Sequence, residues 1–261
     1  MDDGYFALDG THLVPHARAH SPWATDMLHG RLLGGLAARA IENGHIEPGW
    51  RASRLTVDLF RPAAMEPVHI DTSVVRHGRR VQVIDVRLHC GGHDVGRATA
   101  VLLATSQEPP GQIWRPEATP WPDPESMPRP DDAGGGVDDQ GWLFRVAQGG
   151  FDTAAQSRVW TNDTVPLVSG EPMSPLVRAA VSGDIACPLA NSSDAGLFYI
   201  NADYTMFLAR YPVGDWVGIE VSQQQQADGI SIASANLVDQ QGIFATSSGT
   251  SLARPPLASE P

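Results

Sequence analysis

Apolar residues between positions 28 and 42 follow helical spacing. They recur at 28, 32, 36 and 40, and again at 33, 37 and 41, which makes one continuous face. Ser21-Pro22 and Thr25-Asp26 offer start signals before this stretch, and Asn43-Gly44 offers a left-handed stop after it. The pattern therefore predicts a helix over residues 29–42. Gly34 and Gly35 each cost such a helix roughly 1 kcal/mol relative to alanine, which indicates that the helix packs closely against a neighbour.

Period-two alternation takes over from residue 50 and predicts a meander of antiparallel strands. The expected strands are residues 54–61, 68–76, 79–90 and 95–105. Residues 5–14 are expected to form a further strand that leads towards the helix. One strand, one helix and then several long strands are typical of an α+β fold, with the helix wrapped in a sheet.

The second half of the chain repeats this order. Ser174-Pro175 is a good helix start, and the helix is expected to run to about Cys187. The strands expected around it are residues 151–160, 198–210, 216–224, 229–238 and 243–253. Aligning Arg61 with Arg210 gives an offset of 149 residues, and the offset is still 148 where Val95 falls on Ile243. This constancy predicts an internal duplication.

Between the two halves the composition becomes rich in proline and then in glycine, which excludes helices and inner strands. The chain is therefore expected to consist of an N-terminal domain (1–106), a linker (107–139) laid over the surface and a C-terminal domain (140–256). Because a fused pair of sheets leaves outer edges that need cover, a homodimer is also expected.

The composition narrows the possible partners. A net charge of −12 argues against nucleic acid, which requires a basic surface. No apolar run approaches the roughly 18 residues of a membrane span, and the first residues do not resemble a signal peptide, so a cytoplasmic protein is expected. Cys90 and Cys187 lie far apart in the chain and are expected to be reduced, structural thiols.

Several motifs, in this order and spacing, resemble the double-hotdog acyl-CoA thioesterases of the TesB-like type. The first half contributes Trp23, His29-Gly30, residues 54–62 and residues 76–81. The second half resembles actinobacterial members, through residues 174–178, Asp184, residues 201–205 and residues 214–217. The resemblance implies two fused hotdog folds, each a long helix gripped by an antiparallel sheet. It also implies that a fatty acyl-CoA is hydrolysed to the free acid and CoA, without a cofactor.

The resemblance further implies a catalytic water held by an aspartate, a hydroxyl residue and a glutamine. Asp203 falls on the aspartate position, and the alternative for it is a strand-start aspartate that binds nearby backbone amides. Gln224 stands where the hydroxyl residue belongs and is a candidate to orient the water, with a polar strand end as the alternative. Gly249 stands where the glutamine belongs. A small shift of the alignment would instead bring Ser222 or Thr250 close to the water.

Asp184 is the rival for the role of base. It lies four residues after Ala180 and seven after Val177, so it projects from the apolar face of the second helix. A partly buried carboxylate there has its pKa moved towards neutrality and can remove a proton from water. The alternative is an acid at the end of the helix that caps it or pairs with Arg178.

Two further sets of residues are candidates for binding substrate. His29 and Gly30 open the first helix, where unpaired N–H groups favour a developing negative charge, although a packing role for His29 is the alternative. Arg79 and Arg80, together with Arg76, flank a predicted turn at Gly78 and could bind the phosphates of CoA, or be solvated surface residues.

Other function classes are disfavoured. The sequence contains no Gly-x-Ser-x-Gly elbow and no histidine pair at metal-ligand spacing on a predicted helix, so neither a serine hydrolase nor a metal is expected. It contains no Asp-x4-His dyad of a hotdog hydratase. An acyl-CoA-binding protein without catalytic activity remains the alternative to a thioesterase, since Gln224 and Gly249 replace the expected partners of the water.

Overall fold

The computed structural model describes residues 3–115, 120–128 and 141–254. The first half is one long helix between short and long strands. A hairpin that turns at Gly10 opens it, and a 3-10 turn (Ala17–Ala19) follows. The elements are β1 (Phe6–Asp9), β2 (His12–Pro15), β3 (His20–Ser21), β4 (Ala24–Leu28), α1 (Gly30–His45), β5 (Trp50–Leu59), β6 (Val68–His77), β7 (Val81–Cys90) and β8 (His93–Ala104).

The second half repeats this plan with a broken helix. A 3-10 turn (Pro124–Ser126) precedes it. Its elements are β9 (Trp142–Gln148), β10 (Arg158–Asp163), α2 (Pro175–Gly183), α3 (Ala186–Ala190), β11 (Ser192–Ser193), β12 (Gly196–Leu197), β13 (Tyr199–Asn201), β14 (Asp203–Leu208), β15 (Val217–Ala227), β16 (Ile230–Asp239) and β17 (Gly242–Ala253).

The long strands form a single antiparallel sheet in the order β1-β2-β6-β7-β8-β5-β14-β17-β16-β15-β10-β9, with β13 also paired to β17. The order is symmetric about its centre: β1-β2-β6-β7-β8-β5 of the first half correspond, strand by strand, to β9-β10-β15-β16-β17-β14 of the second half. The halves join where β5 pairs with β14, and Thr56 lies directly opposite Thr205 with the two hydroxyls 3.0 Å apart. These threonines are 149 residues apart, which confirms the predicted duplication and α+β architecture.

Helices α1 and α2 pack against each other in opposite directions on one side of the sheet. A Cβ on Gly34 would overlap the hydroxyl of Tyr204, and a Cβ on Gly35 would lie 2.6 Å from Cγ1 of Val181. The close packing predicted from these glycines is confirmed. Leu36 is fully buried at the same place, so the glycines let the core form at short helix–helix distance.

The second helix is shorter than expected, because it breaks at Asp184. Pro188 has no N–H to donate to the carbonyl of Asp184, the acceptor four residues earlier, and its ring crowds that carbonyl. The freed carbonyl accepts a hydrogen bond from Nδ2 of Asn201, at 3.1 Å. The chain therefore ends α2 at Gly183 and restarts as α3 at Ala186.

Three other expectations for local structure were wrong. Asn43-Gly44 does not stop α1, which continues to His45 before Ile46 packs on the core. Residues 5–14 form a hairpin and not one strand, because Gly10 adopts a φ of 60°. Residues 151–160 are a strand only from 158 onwards, and β9 supplies the edge of the sheet instead.

Part of the predicted linker lies on the second half of the sheet. The indole of Trp121 packs edge-on against Trp160, with ring centroids 4.8 Å apart. Trp160 donates to the carbonyl of Pro122 at 2.9 Å, and Trp216 donates to Oε1 of Glu125 at 2.7 Å. Residues 116–119 and 129–140 of the expected linker lie outside the described residues, and the domain limits stay a prediction.

Candidate active site

The N-terminus of α1 has no capping side chain. His29 occupies the N-cap position in an extended conformation, and its side chain makes no capping hydrogen bond. The first turn is closed by a 3-10-type hydrogen bond from the N–H of Leu32 to the carbonyl of His29, at 3.0 Å. The N–H groups that begin a helix lack partners within the helix and lie at the positive end of its dipole. This terminus is therefore suited to a group that carries or gains negative charge.

The carboxylate of Asp184 faces this helix terminus. A Cβ built on Gly30 would lie 4.0 Å from Oδ2 of Asp184 and 3.5 Å from Cδ1 of Leu59. The other carboxylate oxygen, Oδ1, accepts a hydrogen bond of 3.1 Å from Nδ2 of Asn201. Because the same amide also holds the carbonyl of Asp184, Asn201 fixes both the backbone and the side chain, and Oδ2 is the oxygen left to face Gly30.

Burial perturbs the pKa of Asp184. The residue is only 4% exposed, and this burial raises its pKa from 3.8 to about 6, against the opposing effects of the Asn201 hydrogen bond and the charge of Arg31. Its position at the carboxyl end of α2 also disfavours a negative charge. A carboxylate with a pKa near 6 is ionised at neutral pH and still basic enough to accept a proton from water.

A buried ion pair holds the helix terminus in place. Nη1 of Arg31 donates to Oδ1 of Asp163 at 2.7 Å, and Nη2 donates to the hydroxyl of Tyr5 at 2.8 Å. That hydroxyl in turn donates to Asp163 at 2.7 Å, and the guanidinium lies over the ring of Trp142. Since Arg31 belongs to the first half and Asp163 to the second, the network ties the two halves together beside Gly30.

His29 packs beside this network. Its ring meets the ring of Trp142 edge-on, with centroids 5.6 Å apart. Burial, and then the charges of Arg31 and His20, lower the pKa of His29 well below 6.5, so the imidazole is neutral at pH 7. These contacts fit the packing alternative for His29, and contact of its side chain with substrate stays a prediction.

Asp203 lies at a break in strand pairing and binds Thr250. The N–H of Thr250 donates to Oδ1 of Asp203 at 3.2 Å, and the threonine hydroxyl donates to Oδ2. Both β13 and β14 pair with β17, and the carboxylate thus satisfies the amide of Thr250 on β17 at the break between their two registers. Asp184 and Asp203 both lie near Cys187, whose pKa burial and the two carboxylates raise to about 12. The two candidate bases therefore both lie near one buried thiol.

The residues expected to complete the Asp203 site are not brought to it. Nε2 of Gln224 lies 3.3 Å from Oδ1 of Asn191 and 3.5 Å from Oγ of Ser231. Ser222 is exposed and donates to the carbonyl of Ser234. A side chain at Gly249 would overlap the carbonyl of Asp203. Of the residues considered for the water, only Thr250 binds the carboxylate of Asp203.

Arg79 and Arg80 are also distant from Asp184. Both are exposed in the turn between β6 and β7. The carbonyl of Arg80 accepts from the N–H of Ala104, which pairs with Trp50 at the start of β5. Leu59, beside the α1 terminus, lies at the other end of that strand, roughly 30 Å away for a strand of this length. A phosphate site at these arginines stays a prediction.

The opposite end of the helix pair lacks the features of the Asp184 end. Ser174 caps α2 by accepting from the N–H of Val177 at 3.2 Å, and Pro175 supplies no N–H. Beside the start of α2, Arg39 in the second half of α1 forms a two-pronged ion pair with Glu171, at 2.5 and 2.6 Å. An open polar cleft of about 410 Å³ lies on this side. Thus, of the two ends of the helix pair, only the one at Gly30 has an uncapped helix N-terminus that faces an acid, Asp184.

Cys90 and Cys187 are both free and buried. Within the described ranges, no cluster of three or more His, Cys, Asp or Glu side chains has the geometry to hold a metal ion. Among the helices of the described residues, none combines the length and hydrophobicity needed to cross a membrane.

Comparison with known families agrees with the architecture. Residues 19–103 match the acyl-CoA thioesterase N-terminal domain, and residues 111–252 match the acyl-CoA thioesterase C-terminal domain. The fold is thus that of a duplicated hotdog protein. The chain belongs to the acyl-CoA thioesterase family, as the resemblance implied. No curated protein matches the chain.

Solved structures show the same fold at low sequence identity. A conserved hot dog fold protein of unknown function from Alicyclobacillus acidocaldarius is 18% identical, covers 98% of each chain and gives a TM-score of 0.76. The tesB protein of Mycobacterium avium subsp. paratuberculosis is 17% identical over 95% of each chain, with a TM-score of 0.68. An acyl-CoA thioesterase II from Mycobacterium marinum is 20% identical over 87% of this chain and 90% of its own, with a TM-score of 0.66.

Proposed function

We propose that this protein hydrolyses acyl-CoA thioesters to the free acid and CoA, with Asp184 as the base that activates water. The observation that carries the proposal is the buried Asp184 carboxylate, whose Oδ2 lies 4.0 Å from the position of a Cβ on Gly30, at the uncapped start of α1. This proximity supports the proposal because a carboxylate that can accept a proton lies beside N–H groups that can stabilise an oxyanion. Thioester hydrolysis requires both.

In the proposed reaction the thioester carbonyl oxygen lies at the N-terminus of α1. A water held by Oδ2 of Asp184 attacks the carbonyl carbon as the carboxylate takes a proton from it. The resulting oxyanion is stabilised by the first-turn N–H groups and the helix dipole. The intermediate then collapses, the C–S bond breaks, and the CoA thiolate leaves. The proton passes from Asp184 to the sulfur, which restores the carboxylate.

Asp203 is the base that the family resemblance implies, and the geometry supports Asp184 more strongly. Both oxygens of Asp203 already accept hydrogen bonds from Thr250. Gln224 and Gly249 supply no further group to position a water beside it. We therefore assign Asp203 and Thr250 a role in shaping the wall of the site near Cys187.

The test is release of free thiol from a panel of acyl-CoAs, followed across pH. The proposal predicts turnover that falls about tenfold per pH unit below the pKa of Asp184, about 6, because the base must be ionised. If no acyl-CoA is hydrolysed while non-hydrolysable S-alkyl-CoA thioethers still bind, the protein is an acyl-CoA-binding protein and the proposed activity is wrong.

We also propose that the protein is a homodimer. Strand β9 lies at one edge of the described sheet, and the unpaired N–H and C=O groups along such an edge need cover. Light scattering during size-exclusion chromatography measures the mass directly. A mass of about 56 kDa, twice the 27.9 kDa of one chain, is expected. A mass equal to one chain contradicts the proposal.

A further inference from the structure

The space inward from Gly30 along α1 is filled by Tyr204. This side chain is fully buried. Its hydroxyl donates to the carbonyl of Ala180 on α2 at 2.9 Å, and the same hydroxyl occupies the position that a Cβ on Gly34 would need. The phenol therefore reaches from the sheet, through the space beside α1, to the backbone of α2.

The ring of Tyr204 is also closely packed on its second side. A Cβ on Gly183 would lie 3.3 Å from both Cε2 of Tyr204 and Sδ of Met206. A hydrogen bond at the tip and two glycine backbones at the sides thus fix the ring. A methyl group on Gly34 would overlap the phenol, and one on Gly183 would press on it at 3.3 Å, so an acyl chain cannot pass between Tyr204 and the helices without moving the ring.

The other inward direction, along α3, is filled as well. Cys187 is fully buried, and its sulfur would lie 2.7 Å from a Cβ on Gly249. The same Cβ would overlap the carbonyl of Asp203. The strand backbone and the thiol are therefore in contact, and this side of Asp184 offers no channel.

We propose that the Asp184 site accepts only short acyl groups and that Tyr204 sets the limit. The inference rests on the proposed function. Because CoA is far too large to be enclosed, it is the acyl group that must point inward from the thioester. Gly30 and Gly34 are one helical turn apart, roughly 6 Å, so an acyl chain that follows α1 meets Tyr204 after a few carbons. This narrows the fatty acyl-CoA expected from the sequence to the short members of that class.

The test compares kcat/KM for acetyl-, butanoyl-, octanoyl- and dodecanoyl-CoA. The wild type is expected to prefer butanoyl-CoA to dodecanoyl-CoA by at least about tenfold, since exclusion of even one methylene from a pocket has effects of that size. Tyr204→Ala is expected to reduce this ratio several-fold or reverse it, and Tyr204→Phe, which keeps the ring, is expected to keep the order of substrates. Circular dichroism shows which variants are folded.

Two results overturn the inference. One is a wild-type kcat/KM for dodecanoyl-CoA equal to or above that for butanoyl-CoA. The other is a folded Tyr204→Ala variant with the wild-type substrate profile. Calorimetry with S-butyl-CoA and S-octyl-CoA separates this inference from the proposed activity, because it needs no turnover. If no acyl-CoA is hydrolysed, the hydrolase proposal fails. Binding of S-butyl-CoA at least tenfold tighter than that of S-octyl-CoA still supports the limit on acyl length. Binding of S-octyl-CoA as tight as that of S-butyl-CoA, or tighter, contradicts this limit.

Discussion

Replacing Asp184 by Asn is expected to make the protein more stable while it removes activity. The pKa of this buried carboxyl rises from 3.8 to about 6 on folding, and each pKa unit corresponds to about 1.4 kcal/mol. A carboxyl whose pKa is raised on folding binds its proton more tightly in the native state. Its contribution to stability therefore falls as the pH rises from about 4 to about 6, and by pH 8 the full penalty is about 3 kcal/mol.

Asparagine has nearly the same shape and can still accept the hydrogen bond from Asn201, but it carries no charge. Urea unfolding at pH 8 is thus expected to show Asp184→Asn more stable than the wild type by up to about 3 kcal/mol. At pH 5 the difference is expected to shrink to roughly half, because the native carboxyl is then mostly protonated. Thermal unfolding is expected to shift upward by about 2–4 °C per kcal/mol.

Asp194→Asn is a matched control, because Asp194 is exposed in the turn between β11 and β12. It is expected to change the free energy of unfolding by less than about 0.5 kcal/mol at either pH. If Asp184→Asn is no more stable than the wild type at pH 8, or if its advantage does not depend on pH, the carboxylate is not held in an unfavourable ionised state, and the reasoning about its basicity is refuted.

Three further predictions follow from the site and its support. Gly30→Ala is expected to lower kcat/KM by at least about tenfold, because its methyl group enters the space proposed for the thioester. The control is Gly44→Ala, on the same helix with open space around it, which is expected to keep kcat/KM and add about 0.5–1 kcal/mol of stability. Equal kinetics for the two variants in the thiol assay would contradict the assignment. Asp163→Ala is expected to cost about 3–5 kcal/mol in urea unfolding, since it leaves Arg31 buried without its partner; a cost below about 1 kcal/mol would show that the pair does not hold the halves together. The hydrogen bond from Asn201 lowers the pKa of Asp184, so its loss in Asn201→Ala is expected to raise that pKa and move the acid limb of the pH–rate profile to higher pH. An unmoved limb would show that Asn201 only supports the fold.

Periodicity was sufficient to predict most of the fold. The helical spacing of residues 28–42 and the alternation in the later strands come from burial of one face, which is a local and repeated property. The duplication was visible because the offset between the halves stays constant, and Thr56 and Thr205 meet at the join. The ends of elements were less predictable, since α1 runs past Gly44 where tertiary packing outweighs the local stop signal.

The site could be predicted only in part, because its decisive contacts join residues distant in the chain. Asp184 and Gly30 were both recognised as candidates, but nothing local indicates that they face each other. Asn201 was not identified as the partner of Asp184. The spacing of Pro188, four residues after Asp184, is the local signal that the carbonyl would need a partner from elsewhere.

The family resemblance predicted the architecture correctly, but it pointed to Asp203 as the base, whereas the geometry supports Asp184. Asp203 matches the family position in sequence, yet the residues aligned with its expected partners do not reach it: Gln224 contacts Asn191, and Gly249 has no room for a side chain. Sequence alignment reports position along a strand, whereas a catalytic water requires convergence in space. The geometry therefore favours the helix-borne acid.

The most direct test of this account is kcat for thiol release from butanoyl-CoA at pH 8 by Asp184→Asn and Asp203→Asn, measured beside the wild type. If Asp184 is the base, Asp184→Asn is expected to lose about 10²–10⁴-fold in kcat, and Asp203→Asn, which removes no proton acceptor from the water, less than about tenfold. A variant order in which Asp203→Asn is the more damaged, or an Asp184→Asn enzyme that retains wild-type turnover, would contradict it.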